Sequence, residues 1–428
     1  MHAVVVEFDH LSVDFLGCYG NSWIETPYLD RLASRAVTFD NCFAAVPPPS
    51  SDPNYRSATG PDHDRLELIS ALGEAGVRVS LCSEDDADDS ILGHSDRSIH
   101  VKGSDAPEAP AAERPFRKLI DAAIALLDEP SASSTPSLLW VASRGVPSPW
   151  LPPAEVAGAY WDEFFDEREF NLLLSSLTEE NDKDRASSRS RTTDDRLASG
   201  LAELSTAGLF HRFQTSASRE LTNLNRAVYA AYVSAIDAWL GLLLDRLDVE
   251  HTADWLLIVT GRAGDLLGTH PAIADGCPPL LDPHLRVPLL IHRSGAEHWG
   301  TRRRRLAGTP DVFATLADWF KIDMQPPTED SISLLPAVAG SHHAPRRECV
   351  FSGGADVGWS VRTPEFRCVI GEARHGGDPP EETWLFLKPD DVADMLNVAD
   401  QYPDVTSSLR DRIEEQFNQI SRRSARDE

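Results

Sequence analysis

The sequence predicts an α/β protein with a large, mainly parallel sheet flanked by helices, followed by a small C-terminal α+β domain with antiparallel strands. Two observations carry that prediction. Up to about residue 325, short apolar runs alternate with helical patterns, which is how βαβ units around a parallel sheet read. After about Asp323 the texture changes to closely spaced, short strand-like runs and one closing helix. A boundary near residue 325 therefore divides the chain into 1–325 and 326–428, and no internal repeat is visible.

The elements follow in order. Ala3–Glu7, with its run of valines, is the first strand. Thr26–Arg35 is a helix, with Thr26 as cap and Pro27 in its first turn. Arg65–Ala75 is a helix ended by Gly76, and Val77–Cys82 the strand after it. Phe116–Leu127 is a helix and Ser137–Ala142 a strand. The long amphipathic pattern Leu221–Leu247 leads into the strand Trp255–Thr260. Leu289–His292 is a further buried strand, and Thr309–Phe320 a helix capped by Thr309 with Pro310 at its first position. In the second unit, Val350-Phe351, Trp359–Arg362, Phe366–Gly371 and Trp384–Lys388 read as antiparallel strands, and Asp404–Arg422 as the closing helix. Two segments interrupt the pattern. Lys102–Pro115, rich in Ala, Pro and acid, reads as a surface loop, and Leu177–Gly200, a run of Ser, Thr, Asp and Arg, as an insertion.

Composition narrows the partners. With 41% hydrophobic residues the chain is globular, and 68 acidic against 40 basic side chains give a net charge of −28. Such an excess repels nucleic acid and anionic lipid, so neither is expected as a partner. Cys18, Cys42, Cys82, Cys277, Cys349 and Cys368 are scattered, with no CxxC pair, which suits free thiols in a reducing compartment. The first residues enter a strand-like run at once, and no apolar run approaches the length of a bilayer span. A cytoplasmic location is the expectation.

Several stretches, taken together, carry a resemblance to one known family. Asp9-His10-Leu11-Ser12-Val13-Asp14-Phe15-Leu16-Gly17-Cys18-Tyr19-Gly20-Asn21 resembles its opening strand and loop. Thr26-Pro27-Tyr28-Leu29-Asp30-Arg31-Leu32-Ala33 and Val37-Thr38-Phe39-Asp40-Asn41 continue in the same order and spacing. Tyr232–Leu247 resembles the helix before the second half of the site, and Gly264-Asp265-Leu266-Leu267-Gly268-Thr269-His270 the Gly-x-x-Leu-Gly-x-His loop. Leu285-Arg286-Val287-Pro288-Leu289, Asp311–Leu316, Val361-Arg362-Thr363-Pro364 and Trp384–Ala399 extend the resemblance over nearly the whole chain. The family these stretches resemble is the sulfatase family of the alkaline phosphatase superfamily.

The resemblance implies a three-part chemistry for cleaving a sulfate ester. A calcium or magnesium ion held by carboxylates and an amide or imidazole neutralises the sulfate oxygens. A formylglycine hydrate made from Cys or Ser in a Cys/Ser-x-Pro-x-Arg segment supplies the nucleophile. Lys, Arg and His side chains steady the developing charge.

Set against that pattern, this sequence departs at each part. Asp9 matches the first metal carboxylate, and His10 stands where many members have a second Asp. After Trp255–Thr260 the family has Asp followed by His or Asn. Here the residues are Gly261-Arg262-Ala263-Gly264, a cation and a methyl group. One carboxylate is a poor site for a hard ion that wants about six oxygen contacts, so no bound metal is expected. The structural alternative for Asp9 is a loop hydrogen bond with Arg262 as ion-pair partner. In Pro49-Ser50-Ser51-Asp52-Pro53-Asn54-Tyr55-Arg56, Ser51 fits Ser-x-Pro but leaves Arg56 one residue too far along, while counting back from Thr59-Gly60 selects Ser50, followed by Asp52 and Asn54 where Pro and Arg belong. A Pro/Ser turn capping a helix is the plainer reading of that segment. Asp275 and Cys277 occupy the stretch where the family has its Lys, and Pro147-Ser148-Pro149-Trp150 replaces a His-x-Pro segment. Arg262, Arg144 and His270 remain as candidate anion-binding groups. The expectation is a non-catalytic or impaired sulfatase-like protein binding an anionic small molecule or a protein partner. The alternative is an active sulfuric ester hydrolase with a serine-derived formylglycine and a rearranged metal site. A phosphatase or phosphodiesterase using Ser50 or Ser51 directly would need two metals and many more ligands.

Overall fold

The structure is a computed structural model that describes residues 1–45, 61–84, 95–106, 109–129, 135–146, 151–153, 155–166, 168–169, 219–248, 254–267, 270, 280–295, 300–324, 331–354, 358–371 and 383–427. Eight strands form the larger sheet: β1 (His2–His10), β2 (Val37–Phe43), β3 (Arg78–Ser83), β4 (Arg97–His100), β5 (Ser137–Gly145), β6 (Trp255–Gly261), β7 (Leu289–Arg293) and β8 (Thr301–Gly308). Their order is β4-β3-β5-β1-β6-β7-β2-β8. Pairing is parallel from β4 through β6 and again between β2 and β8; β7 runs antiparallel to both its neighbours.

Strand alternation explains why β1 is the middle of the molecule. Val4, Val6 and Phe8 face one core with the Pro115–Asp128 and Arg219–Asp248 helices; Ala3 and Val5 face the other, beneath the Pro61–Glu74 and Pro310–Phe320 helices. The apolar run is continuous because both faces are covered. The exception is Glu7, buried on the second face, where Arg65 pairs with it and the Trp140 indole donates to its Oε2 at 3.2 Å.

The 30-residue helix Arg219–Asp248 corrects the reading that no apolar run reaches bilayer length. Its Thr222–Asp248 portion is long and apolar enough to cross a membrane, with a mean hydropathy of 1.6, yet 83% of that window is buried inside the protein. It is apolar because it lies in the core against the Pro27–Ala33 and Pro115–Asp128 helices.

Two helix caps also differ from expectation. Thr26 makes no cap bond; its hydroxyl accepts from Gly17 N–H at 2.9 Å and faces Asp30. The first N–H groups of that helix, Tyr28 and Leu29, donate instead to the Asp237 carboxylate at 3.0 and 2.8 Å. A cap was needed there, and it came from across the fold. At Pro310–Phe320, Thr309 is already helical in φ and ψ, and its hydroxyl accepts from Ala45 N–H at 3.2 Å. Gly76 does end its helix in a left-handed conformation, φ 76°.

The segment expected as a surface loop is anchored in part. Arg114 is fully buried and donates to the carbonyls of Asp105, Leu151 and Pro152. The Leu177–Gly200 insertion lies outside the described residues.

The C-terminal unit holds β9 (Val350–Gly354), β10 (Gly358–Arg362), β11 (Phe366–Ile370) and β12 (Thr383–Leu387), antiparallel in the order β12-β11-β10-β9. One face sends Val350, Val369, Trp384 and Phe386 into the core of the larger unit. The other face packs Val361, Cys368 and Leu385 against Leu409 and Ile413 of the closing helix Pro403–Asp427. Between the units lies a buried charge network. Asp282 accepts from Arg362 Nε at 3.2 Å and Lys388 Nζ at 2.9 Å and pairs with Arg367, while Asp394 takes Lys388 Nζ at 2.6 Å. The three cations hold the Asp282 carboxyl well below the usual carboxylate range against the opposing effect of burial. Both arginines also cover the Phe43 ring, at 5.3 and 5.0 Å from its centroid. The described cysteines, Cys18, Cys42, Cys82, Cys349 and Cys368, are free thiols.

Candidate functional site

The C-terminal ends of β5, β1 and β6 lie side by side at the middle of the sheet, where an open parallel sheet presents ligands to its loops. Backbone hydrogen bonds fix the three ends together. Arg262 N–H donates to Phe8 O at 2.8 Å, Leu11 N–H to Ala263 O at 2.9 Å, and Val146 N–H to His10 O at 2.9 Å. Gly145 sits opposite His10 with φ 68°, and a Cβ there would come within 2.0 Å of the His10 carbonyl oxygen. Only glycine allows β5 to approach β1 this closely.

That register places Asp9 and Arg262 next to one another. Arg262 Nη1 donates to Asp9 Oδ1 at 3.1 Å, with side chains 17% and 27% exposed. Ala263, the next residue, is fully buried and its methyl group offers no donor atom. Gly264 then turns the chain, its N–H donating to His284 O at 2.7 Å and its carbonyl 2.9 Å from His284 Nδ1. His10 is buried with Nδ1 3.8 Å from Asp265 Oδ1, a carboxylate whose side chain is wholly buried. Beside them, Tyr229 from the long helix accepts Ser12 N–H at 2.9 Å and closes the floor of the first loop.

The other cations point elsewhere. Arg144 follows Ser143 at the end of β5. Its backbone N–H donates to Glu84 Oε2 at 2.8 Å, its Nε lies 3.6 Å from the same oxygen, and its Nη2 donates to Asp105 at 2.7 Å. His270 has Nε2 2.6 Å from Ala393 O, tying its loop to the C-terminal unit, and burial lowers its pKa from the ordinary histidine value. Thus Asp9 and Arg262 are brought into contact and His10 stands beside them. Arg144, Arg262 and His270 are committed to different partners: Glu84 and Asp105, Asp9, and the Ala393 carbonyl. Ser50, Ser51 and Arg56 lie outside the described residues.

The carboxylates Glu84, Asp105 and Asp265 were not singled out from the sequence. The only cue for Glu84 is an acid immediately after a strand end, and nothing in the text around Asp105 separates it from a solvated loop acid.

A divalent cation fits these residues poorly. The single carboxylate at the expected position already faces a guanidinium, and the adjacent position has a buried methyl group. Among the described residues no group of three or more His, Cys, Asp or Glu side chains could hold a metal ion.

The eight-stranded, mostly parallel sheet flanked by helices and the separate four-stranded antiparallel sheet define an α/β protein whose candidate site lies at the strand ends. The Sulfatase family model matches residues 2–322, and the chain belongs to the sulfatase family. One solved structure similar to it is a protein in complex with its substrate D-glucosamine-2-N,6-O-disulfate, at 16% identity and a TM-score of 0.68, covering 98% of this chain and 97% of that one. A second is the phosphonate monoester hydrolase of Agrobacterium radiobacter, at 17% identity and a TM-score of 0.63, covering 98% and 95%. A third, a 2-O GAG sulfatase, has 14% identity and a TM-score of 0.64, covering 98% and 92%. Likeness at such identities is likeness of fold. No curated protein sequence matches the chain.

Proposed function

We propose that this chain is a sulfatase-family protein that does not hydrolyse sulfate esters by the metal-dependent route, and that its scaffold serves a binding or regulatory role. One observation carries the reading: the Asp9 carboxylate is paired with Arg262, with the methyl group of Ala263 in the adjoining position. A guanidinium can balance the charge of one carboxylate. It cannot draw electron density from sulfate oxygens as a divalent ion does, and it offers no open coordination position. The other cations of the region add little, because Arg144 is shared between Glu84 and Asp105 and His270 is spent on a backbone carbonyl. Losing a single oxyanion-type contact costs on the order of a hundredfold or more in rate. Residual positive groups that bind ground and transition states alike do not raise turnover.

The structural relatives named as sulfatases and phosphonate monoester hydrolases supply the assay. Purified protein, co-expressed with a formylglycine-generating enzyme, is offered aryl sulfates, carbohydrate sulfates and phosphonate monoesters with calcium or magnesium. The expected result is no turnover above buffer, with unmodified serines on the Ser50–Arg56 peptide by mass spectrometry. Turnover abolished by Ser50→Ala or Ser51→Ala, together with a formylglycine mass on that peptide, would establish an active hydrolase instead.

A further inference from the structure

The edge of the larger sheet carries a second feature that the site does not use. β8 is the last strand in the order and is hydrogen-bonded through β2 on one side. Its sequence, Thr-Arg-Arg-Arg-Arg-Leu-Ala-Gly, places four consecutive arginines on that edge in a chain of net charge −28. Elsewhere acids are plentiful enough that arginines such as Arg31, Arg35, Arg65 and Arg117 each meet a carboxylate, and within β8 itself Arg302 pairs with Asp40. Arg303, Arg304 and Arg305 have no such partner among the described residues, and neither does Arg346 on the segment that runs alongside.

These groups are positioned rather than loose. Arg303 Nε donates to Ala337 O at 3.2 Å and Arg305 Nη1 to Pro345 O at 2.9 Å, which ties both to the segment 337–346. Arg304 is exposed, and its backbone carbonyl is held by Asn41 Nδ2 at 2.7 Å. Burial and the neighbouring Arg346 and Arg303 charges lower the pKa of Arg305, so like charges crowd here without compensation. The register of β2 on β8 shifts between Phe39 and Asn41, a bulge that interrupts regular pairing at Arg304–Arg305. A partner at this edge is therefore recognised by side chains more than by an added strand.

We infer that Arg303, Arg304, Arg305 and Arg346 form a docking surface for a carboxylate-rich peptide segment of a partner protein. The chemistry favours that occupant. Guanidinium forks match carboxylates in bidentate geometry. A long polyanion such as nucleic acid would meet the repulsion of the rest of the molecule, whereas a short acidic segment feels only the local charge within a Debye length of about 10 Å.

The test is fluorescence anisotropy of a labelled nine-residue Asp/Glu-rich peptide against the whole chain, with a Lys-rich peptide of equal length as control. Saturable binding of the acidic peptide alone is expected, weakened by added salt and by about tenfold or more in Arg303→Ser/Arg305→Ser. Arg304→Gln, exposed and outside the core, is expected to weaken it without altering the melting temperature, which keeps the result readable if the double variant misfolds. Three outcomes would overturn the inference. One is no binding by the wild type, with self-association appearing in the variants, which would make the arginines a guard against edge pairing. The second is undiminished binding in both variants. The third is displacement of the peptide by inorganic phosphate at an equal concentration, which would make this a small-oxyanion site.

Discussion

Arg262 Nη1 stands 3.1 Å from Asp9 Oδ1, joining the ends of adjacent parallel strands at the centre of the sheet. The contact follows from register: Phe8 lies opposite Gly261, so the next residue on each strand emerges on the same side. A positive side chain thus lies where the resemblance led us to expect a carboxylate, and the paired acid is the residue that would have been its fellow ligand.

Removing the cation alone should cost little stability. Both side chains keep contact with water, 17% and 27% exposed, so Arg262→Ala is expected to lower unfolding free energy by roughly 1 kcal/mol. Urea denaturation measures this; a loss several times larger would mean that the pair holds the strand ends together.

Restoring the donor set should create a cation site. In Arg262→Asp/Ala263→Asn, two carboxylates and an amide would share the strand ends. Calcium at a hundredfold excess over its Kd then stabilises the variant by about 2.7 kcal/mol, while the wild type does not respond. Thermal melts with and without calcium, against a chelator control, check it.

The interface between the two units should be far more sensitive. Asp282 balances Arg362, Arg367 and Lys388 in a buried setting, so Asp282→Ala leaves the cations without that carboxylate and is expected to cost about 3–5 kcal/mol. Hydrogen exchange should then rise first in β10 and β11, which carry the two arginines. Unchanged protection there would show that apolar packing alone holds the units together.

Asp237 gives stability a pH dependence. Burial pushes its carboxyl up to about 6 despite the two helix N–H groups it accepts. The folded value is above the unfolded one, about 3.9, so the folded state holds the proton more tightly. The stabilisation is complete below about pH 4 and is lost as pH rises through about 6. Melting temperature measured from pH 4 to 7 should carry this decline in the wild type and lose it in Asp237→Asn; an identical slope in both would contradict the assignment.

Much of the fold was legible because periodicity survives in the text. The valines of β1, the Pro27 and Pro310 helix starts and Gly76 are local signals with local causes. β8 was not read as a strand because arginines mask period-2 alternation; in the fold they border the sheet at an edge, where charge is tolerated. β4 was missed for a similar reason, being four residues long with no buried side chain. In the site, the Arg262 substitution and its pairing with Asp9 were readable because both fall in motif positions. The commitments of Arg144 to Glu84 and Asp105, and of His270 to Ala393, were not. They join residues 39 to 123 positions apart through tertiary geometry that no spacing encodes.

The most direct measurement is an isothermal titration of calcium and of magnesium into the chelator-treated wild-type protein, with elemental analysis of the protein as purified. The reading that Arg262 has displaced the metal predicts no stoichiometric ion in the purified protein and no saturable heat. One tightly bound equivalent, lost in Asp9→Asn, would contradict it and return the chain to the metal-dependent hydrolases.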